Sequence, residues 1–394
     1  MAVRGWRVLG LGAAVLFGVW ACGASGSTES DAVTPGGGGA GGEVAGASAA
    51  GKSGQDGGKG GSSGEGGQGG QEGGAAGEAG GVGGAGKAGQ GGEAGAAVEP
   101  KGAPYPIVLA HGFFGFEEFA GLNFVTYFYK VKDRLNAEGE LEVYTPAVDP
   151  FNNSDLRGEA LRKQVEAITQ FTGRGKVNLI GHSQGGLDAR VVAHWRPDLV
   201  ASVTTFATPH RGTRIADVAL GLVSDSRAQD LIDGLVKLVG IPLYDAAGNQ
   251  TSLSKSMVQL STKEMTAFNA KYTDQPGVVY QSLSGRSKSH PGGNDCLSPV
   301  EPPFVAKTKK QFDGLEALLT VPGLILDGID LTPAPHDGLV KVESARWGQF
   351  LGCVPADHFD EIGHLFGDKP SLLNDWDYLD FYVELVKYLR AKGL

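Results

Sequence analysis

The sequence predicts an α/β fold with a mostly parallel central sheet and helices on both faces, on three observations. From about residue 102 onward, short apolar runs alternate with helix-length amphipathic segments. One of those runs, Val177 to Ile180, passes through Gly181-His182-Ser183-Gln184-Gly185 directly into a helical pattern. The stretch that shows this rhythm is long enough to bury one large core.

Residues 107–110, 142–144, 177–180 and 201–206 are the early strand candidates, each a short apolar run. Residues 156–172 carry Leu161, Val165, Ile168 and Phe171 at helical spacing, and residues 186–195 supply the helix after the serine. Residues 278–284 and 348–354 read as later strands, and 376–389 repeats apolar residues at helical intervals to close the fold. The segment 214–263 breaks the rhythm. Within it, Leu231, Ile232, Leu235, Leu238 and Val239 form one apolar helical face, which serves either as core or as the underside of a lid over the serine.

The first quarter of the chain of 394 residues has a different composition. Arg4 and Arg7 followed by the apolar residues 8–20 read as an export signal spanning residues 1–21, too short for a membrane span. Val19-Trp20-Ala21-Cys22 is similar to a lipoprotein cleavage site, with Cys22 as the lipidated residue, so a membrane anchor is expected; plain secretion is the alternative. Residues 22–102 are dominated by glycine and small or polar residues and cannot offset their own ordering entropy, which predicts a flexible tether. A coil of roughly 75 such residues has an end-to-end distance of about 45 to 50 Å. The net charge of −10 argues against nucleic acid as a partner. With Cys22 assigned to lipid, the remaining cysteines, Cys296 and Cys353, are expected to form a disulfide in an exported domain.

The serine carries the chemistry. Small residues at 181, 185 and 186 let a strand and a helix crowd together while the hydroxyl points out over the sheet end. A serine hydroxyl becomes nucleophilic only when a histidine accepts its proton and a carboxylate steadies the imidazolium. Folds with this elbow order the three as serine, acid, histidine. Asp337, in His336-Asp337-Gly338, and His358, just past the last strand, satisfy that order. Asp327 and Asp330 compete as acids, and His290, His336 and His364 compete as bases. The backbone amides of Gln184, after the nucleophile, and Phe113, in the loop after the first strand, are the expected oxyanion donors. His111 is expected to hold that loop in shape.

These residues resemble the bacterial true lipases of the Pseudomonas and Burkholderia type, which have the α/β-hydrolase fold. The likeness rests on Tyr105 to Phe113, Val177 to Gly186 and Ala207-Thr208-Pro209-His210-Arg211-Gly212-Thr213, and covers the domain 103–394 but not the tether. It implies a triacylglycerol lipase acting at a lipid–water interface on long-chain acylglycerols, with a helical lid at about 214–263. It also implies a structural Ca2+ held by Asp313, Asp360 and the carbonyls of His364 and Asp368, and a folding chaperone as a partner. Two features depart from the family pattern: the positions of Cys296 and Cys353, and His336 in front of the acid where the family commonly has asparagine.

Overall fold

Ile107 to Ala110 are buried along their whole length, the requirement for a strand inside a parallel sheet covered on both faces. The computed structural model describes residues 99–113, 127–239, 252–287, 293–330, 333–363, 370 and 374–394, excepting the side chains of 236–239. The expected signal, Cys22, nearly all of the expected tether, His290, His364 and Asp368 lie outside them.

The chain runs β1 (Ile107–Ala110), α1 (Val131–Ala137), β2 (Val143–Tyr144), α2 (Ser154–Thr172), β3 (Val177–His182), α3 (Gln184–Trp195) and β4 (Val200–Phe206). Next come α4 (Arg214–Ala219), α5 (Ala228–Val239), α6 (Ser252–Gln259), α7 (Thr262–Lys271) and β5 (Val279–Gly285). α8 (Pro303–Ala306), α9 (Thr320–Asp327), α10 (Val342–Ala345), β6 (Gln349–Val354) and α11 (Tyr378–Ala391) complete it. The sheet order is β2-β1-β3-β4-β5-β6, and every pairing among the described strands is parallel. All strand C-termini therefore open on one edge, where α/β sheets place their sites.

Strand alternation assigns the two faces. Ile107 and Leu109 pack with Val131 and Leu135 of α1 and Tyr382 and Leu385 of α11. Val108 and Ala110 pack with Leu161 and Val165 of α2 and Ala189 and Val192 of α3. α2 begins where the Asn153 side chain accepts from the Leu156 amide and ends at Gly173 in the left-handed conformation. Its buried stripe is Leu161, Val165, Ile168 and Thr172; Phe171, expected on that stripe, is 83% exposed. The stripe advances by four, three and four residues to Thr172, whereas Phe171 would take two steps of three in succession and falls about a quarter-turn from its centre.

The irregular segment 214–263 holds α4, α5, α6 and the start of α7. Leu231 is buried, and Ile232 and Leu235 pack against the core formed by Leu187, Val191, Leu253 and Met257. The side chains of Leu238 and Val239 are outside the described residues.

Cys296 and Cys353, 57 positions apart in sequence, form the expected disulfide, with Cα atoms 5.3 Å apart. It ties the turn Gly293–Cys296 to β6, the strand that leads into the loop of His358. Closing a loop of that length is worth about 4 kcal/mol in the chain-entropy account. A reductant that opens the bond in the folded protein is expected to lower the melting temperature, whereas the Cys296→Ala, Cys353→Ala variant should melt identically with and without it.

Candidate active site

β3 ends at His182 and α3 begins at Gln184, leaving Ser183 alone to make the turn with φ 54 and ψ −131. A side chain holds such a conformation only when its surroundings enforce it. The Ser183 amide donates to the Phe206 carbonyl at 2.9 Å, and the Ser183 carbonyl accepts from the Gly186 amide at 3.1 Å. Glycine at 185 and 186 is a packing requirement: a Cβ at Gly185 would stand 2.1 Å from the Ala110 carbonyl oxygen, and one at Gly186 2.0 Å from Thr208 Oγ1.

His358 follows β6, and its Nδ1 lies 2.8 Å from Asp337 Oδ2. The other oxygen of Asp337 accepts from the amides of Leu339 and Val340, at 2.8 and 2.6 Å, and the His358 amide donates to the Asp337 carbonyl at 2.9 Å. Asp337 and His358 are both buried. The competing pair is occupied with itself: His336 Nε2 lies 2.9 Å from Asp327 Oδ1, while His336 Nδ1 accepts from the Gly338 amide. Asp330 is exposed. The His358 ring sits 4.6 Å, centroid to centroid, from that of His182, the residue just before the serine.

Gln184 opens α3, so its amide is one of those at a helix start with no partner within the helix. Phe113 lies in the loop after β1, and it and Ser183 line one pocket. The loop is fixed by Arg157, which is fully buried on α2. Its guanidinium donates to the His111 carbonyl at 2.6 Å and the Gly112 carbonyl at 3.3 Å, and to Asp188 of α3 at 2.8 Å. Burial pushes the Asp188 carboxyl pKa up, and Arg157 opposes that rise.

His111 Nε2 accepts from the Val148 amide at 3.1 Å, so the proton is on Nδ1, which donates to the Gly112 carbonyl at 3.0 Å. Burial first, and Arg157 second, lower the His111 pKa from 6.5 to about 4. Between those values the unfolded chain binds a proton that the folded chain does not, so stability falls as pH drops, by on the order of 3 kcal/mol in total. Denaturant melts at pH 7 and pH 4.5 isolate this contribution as a difference between variants: the change in stability on acidification should be less favourable in the wild type than in His111→Gln.

Behind the serine lies a second buried chain of polar groups. Tyr127 Oη is 2.7 Å from His182 Nδ1, and His182 Nε2 is 2.6 Å from Glu361 Oε2. Glu361 Oε2 is also 3.9 Å from His358 Nδ1. Burial, and then the charges of Asp337 and Asp357, hold the Glu361 carboxyl well above the usual carboxylate range.

A third cluster supports the histidine loop. Ligand atoms of Asp313, Asp357 and Asp360 all lie within 4.8 Å of one another, and all three residues are buried. Asp313 lies in irregular chain and is not a helix cap; its Oδ2 accepts from the Asp357 amide at 2.9 Å. Asp357 accepts from the amides of Glu316, Phe359 and Asp360. Asp360 Oδ1 has no hydrogen-bond partner among the described residues. Burial, together with the neighbouring aspartates, holds the carboxyl pKa of Asp357 and of Asp360 well above the usual carboxylate range. Crowded oxygen donors with an orphaned buried oxygen fit a hard divalent cation.

The pocket at Ser183 has a volume of about 230 Å³ and an almost wholly apolar wall, including Phe113, Leu231, Leu319, Val321 and Phe359.

The sequence of residues 105–289 matches the family model for the alpha/beta hydrolase fold. A triacylglycerol lipase of Vibrio cholerae is 34% identical over 304 residues, covering 74% of this chain and 89% of the relative. The chain belongs to the triacylglycerol lipase family. A second family member, from Pseudomonas fragi, is 30% identical and is covered over 97% of its length by 74% of this chain. The crystal structure of a metagenomic carboxyl esterase shares the fold, with a TM-score of 0.51 and 18% identity over 75% of this chain and 78% of that one.

Within this lipase fold the structure brings Asp337 to His358 and sets Asp313 near Asp360, as the sequence predicts. Sequence reading does not single out Arg157, Asp188, Tyr127, Glu361 or Asp357. Arg157 does leave a trace, as a charge in an otherwise apolar helical row that includes Leu161. Glu361 leaves none, because an acid three positions past a histidine is common in any exposed turn.

Proposed function

We propose that this lipase-family chain is an exported serine ester hydrolase that cleaves long-chain triacylglycerols through an acyl-enzyme. The observation that carries the reading is the buried His358–Asp337 pair, with the His358 ring against that of His182, next in sequence to the strained Ser183 that lines an apolar pocket. Ser183 Oγ attacks the ester carbon while His358 takes its proton, and Asp337 holds the imidazole in the required tautomer. The amides of Phe113 and Gln184 receive the oxyanion. His358 then gives the proton to the departing alkoxide, and water, activated by the same histidine, releases the fatty acid. A named triacylglycerol lipase at 34% identity supports the substrate class.

Hydrolysis of emulsified triacylglycerols and of soluble short esters tests this. Faster turnover of the emulsion, with a rise once substrate exceeds its solubility, is expected; preference for soluble short esters without that rise makes the protein an esterase. The same rise tests the segment 214–263 as a lid, whose opening at an interface would uncover the pocket.

Asp313 and Asp360, with Asp357 beside them, would hold Ca2+, which supplies charge compensation that fixes the loop of His358. Excess chelator is expected to lower the melting temperature, since saturation at a hundred times Kd is worth about 2.7 kcal/mol. Unchanged melting would remove the ion from the account. Residues 1–21 as signal, Cys22 as lipid site and 22–102 as tether complete the reading, with the outer membrane or cell surface as the location. Labelling with a fatty-acid probe that survives in Cys22→Ala would refute the anchor.

A further inference from the structure

α5 turns one arc of its surface toward the pocket, at Asp230, Leu231, Gly234 and Leu235. At about 100° per residue, Gly234 stands about 40° round from Asp230, inside an arc that runs to Leu235 at about 140°. Gly234 is exposed, so a side chain there would stand at the open rim of the pocket. No atom of the described residues lies within 4 Å of where its Cβ would be.

Neither usual reason for a glycine applies at this position. Gly234 is not among the residues with positive φ, and nothing among the described residues approaches it closely. Glycine is also unfavourable inside a helix. What its absent side chain does is leave open the wall between Leu231, which is buried against Ile215 and Ile325, and Asp230, which is exposed.

We propose that Gly234 determines the acyl-chain length this lipase accepts: the gap lets a long chain run from Ser183 past α5 toward the solvent edge at Asp230. This rests on the reading of the pocket as the acyl site. A bulky side chain at 234 would close the gap and leave room only for short chains.

The test compares kcat/KM for nitrophenyl butyrate, octanoate and palmitate in wild type, Gly234→Ala and Gly234→Phe. Gly234→Phe should lose about tenfold or more on palmitate while butyrate stays within about twofold, since each methylene lost from an apolar pocket is worth roughly tenfold or more. Gly234→Ala should raise the melting temperature and shift the profile less. If Gly234→Phe does not melt cooperatively, Gly234→Leu provides the same comparison. An unchanged palmitate-to-butyrate ratio in a folded bulky variant overturns the role of Gly234. A parallel series of acetate esters with lengthening alcohols separates the two claims: discrimination that appears there instead places the alcohol in the pocket and overturns the acyl-site reading itself.

Discussion

Asp337→Asn is expected to lower kcat by about four orders of magnitude while leaving the fold intact, because an amide at this position favours the wrong histidine tautomer. The structure gives the reason in atoms. Asp337 Oδ2 faces His358 Nδ1, and Oδ1 is fixed by the Leu339 and Val340 amides, so neither oxygen can be given up without turning the imidazole. Asp327→Asn is the control. Its partner is His336, and the same substitution there should change kcat by less than about tenfold. Equal losses in both variants would mean that the assignment between the two acids is wrong. Glu361 Oε2, at 3.9 Å from the same nitrogen, is too far for a hydrogen bond and is held instead by His182 at 2.6 Å.

Arg157→Met is expected to cost about 3 to 5 kcal/mol of stability, the usual result of removing one partner of a buried ion pair. Asp188 would be left buried and uncompensated, and the carbonyls of His111 and Gly112 would lose their donor. The second loss bears on turnover, since those carbonyls belong to the loop that carries the Phe113 amide. The double variant Arg157→Met, Asp188→Leu separates the effects. It should regain much of the stability in urea melts, because an apolar pair of similar volume tolerates burial, yet keep a reduced kcat. Recovery of both would reduce Arg157 to a packing residue.

The parts legible in the sequence are those governed by local pattern. β1 and β3 announce themselves as apolar runs, and the elbow by glycines that the close approaches at 185 and 186 require. Asp337 and His358 follow from chain order, and Asp313 and Asp360 from family likeness. What escaped depends on contacts across the fold. Arg157 meets Asp188 from another helix 31 positions away, and Glu361 reaches His182 across 179 positions, so neither pairing leaves a periodic signature. Phe171 was misplaced because an apolar residue one step off a helical stripe looks the same in a short window as one on it. α9 carries Pro322 and Gly323, which interrupt a helical pattern in sequence, although proline is tolerated in the first turn of a helix.

Formation of an acyl-enzyme on Ser183 is the step on which the proposed reaction depends. Rapid mixing with nitrophenyl palmitate, acid quenching and mass analysis of the proteolysed protein test it most directly. A burst of nitrophenol stoichiometric with enzyme is expected, together with a palmitoyl group on the peptide that carries Ser183. A palmitoyl group on another residue, or a Ser183→Ala variant that turns over at the wild-type rate, would contradict it.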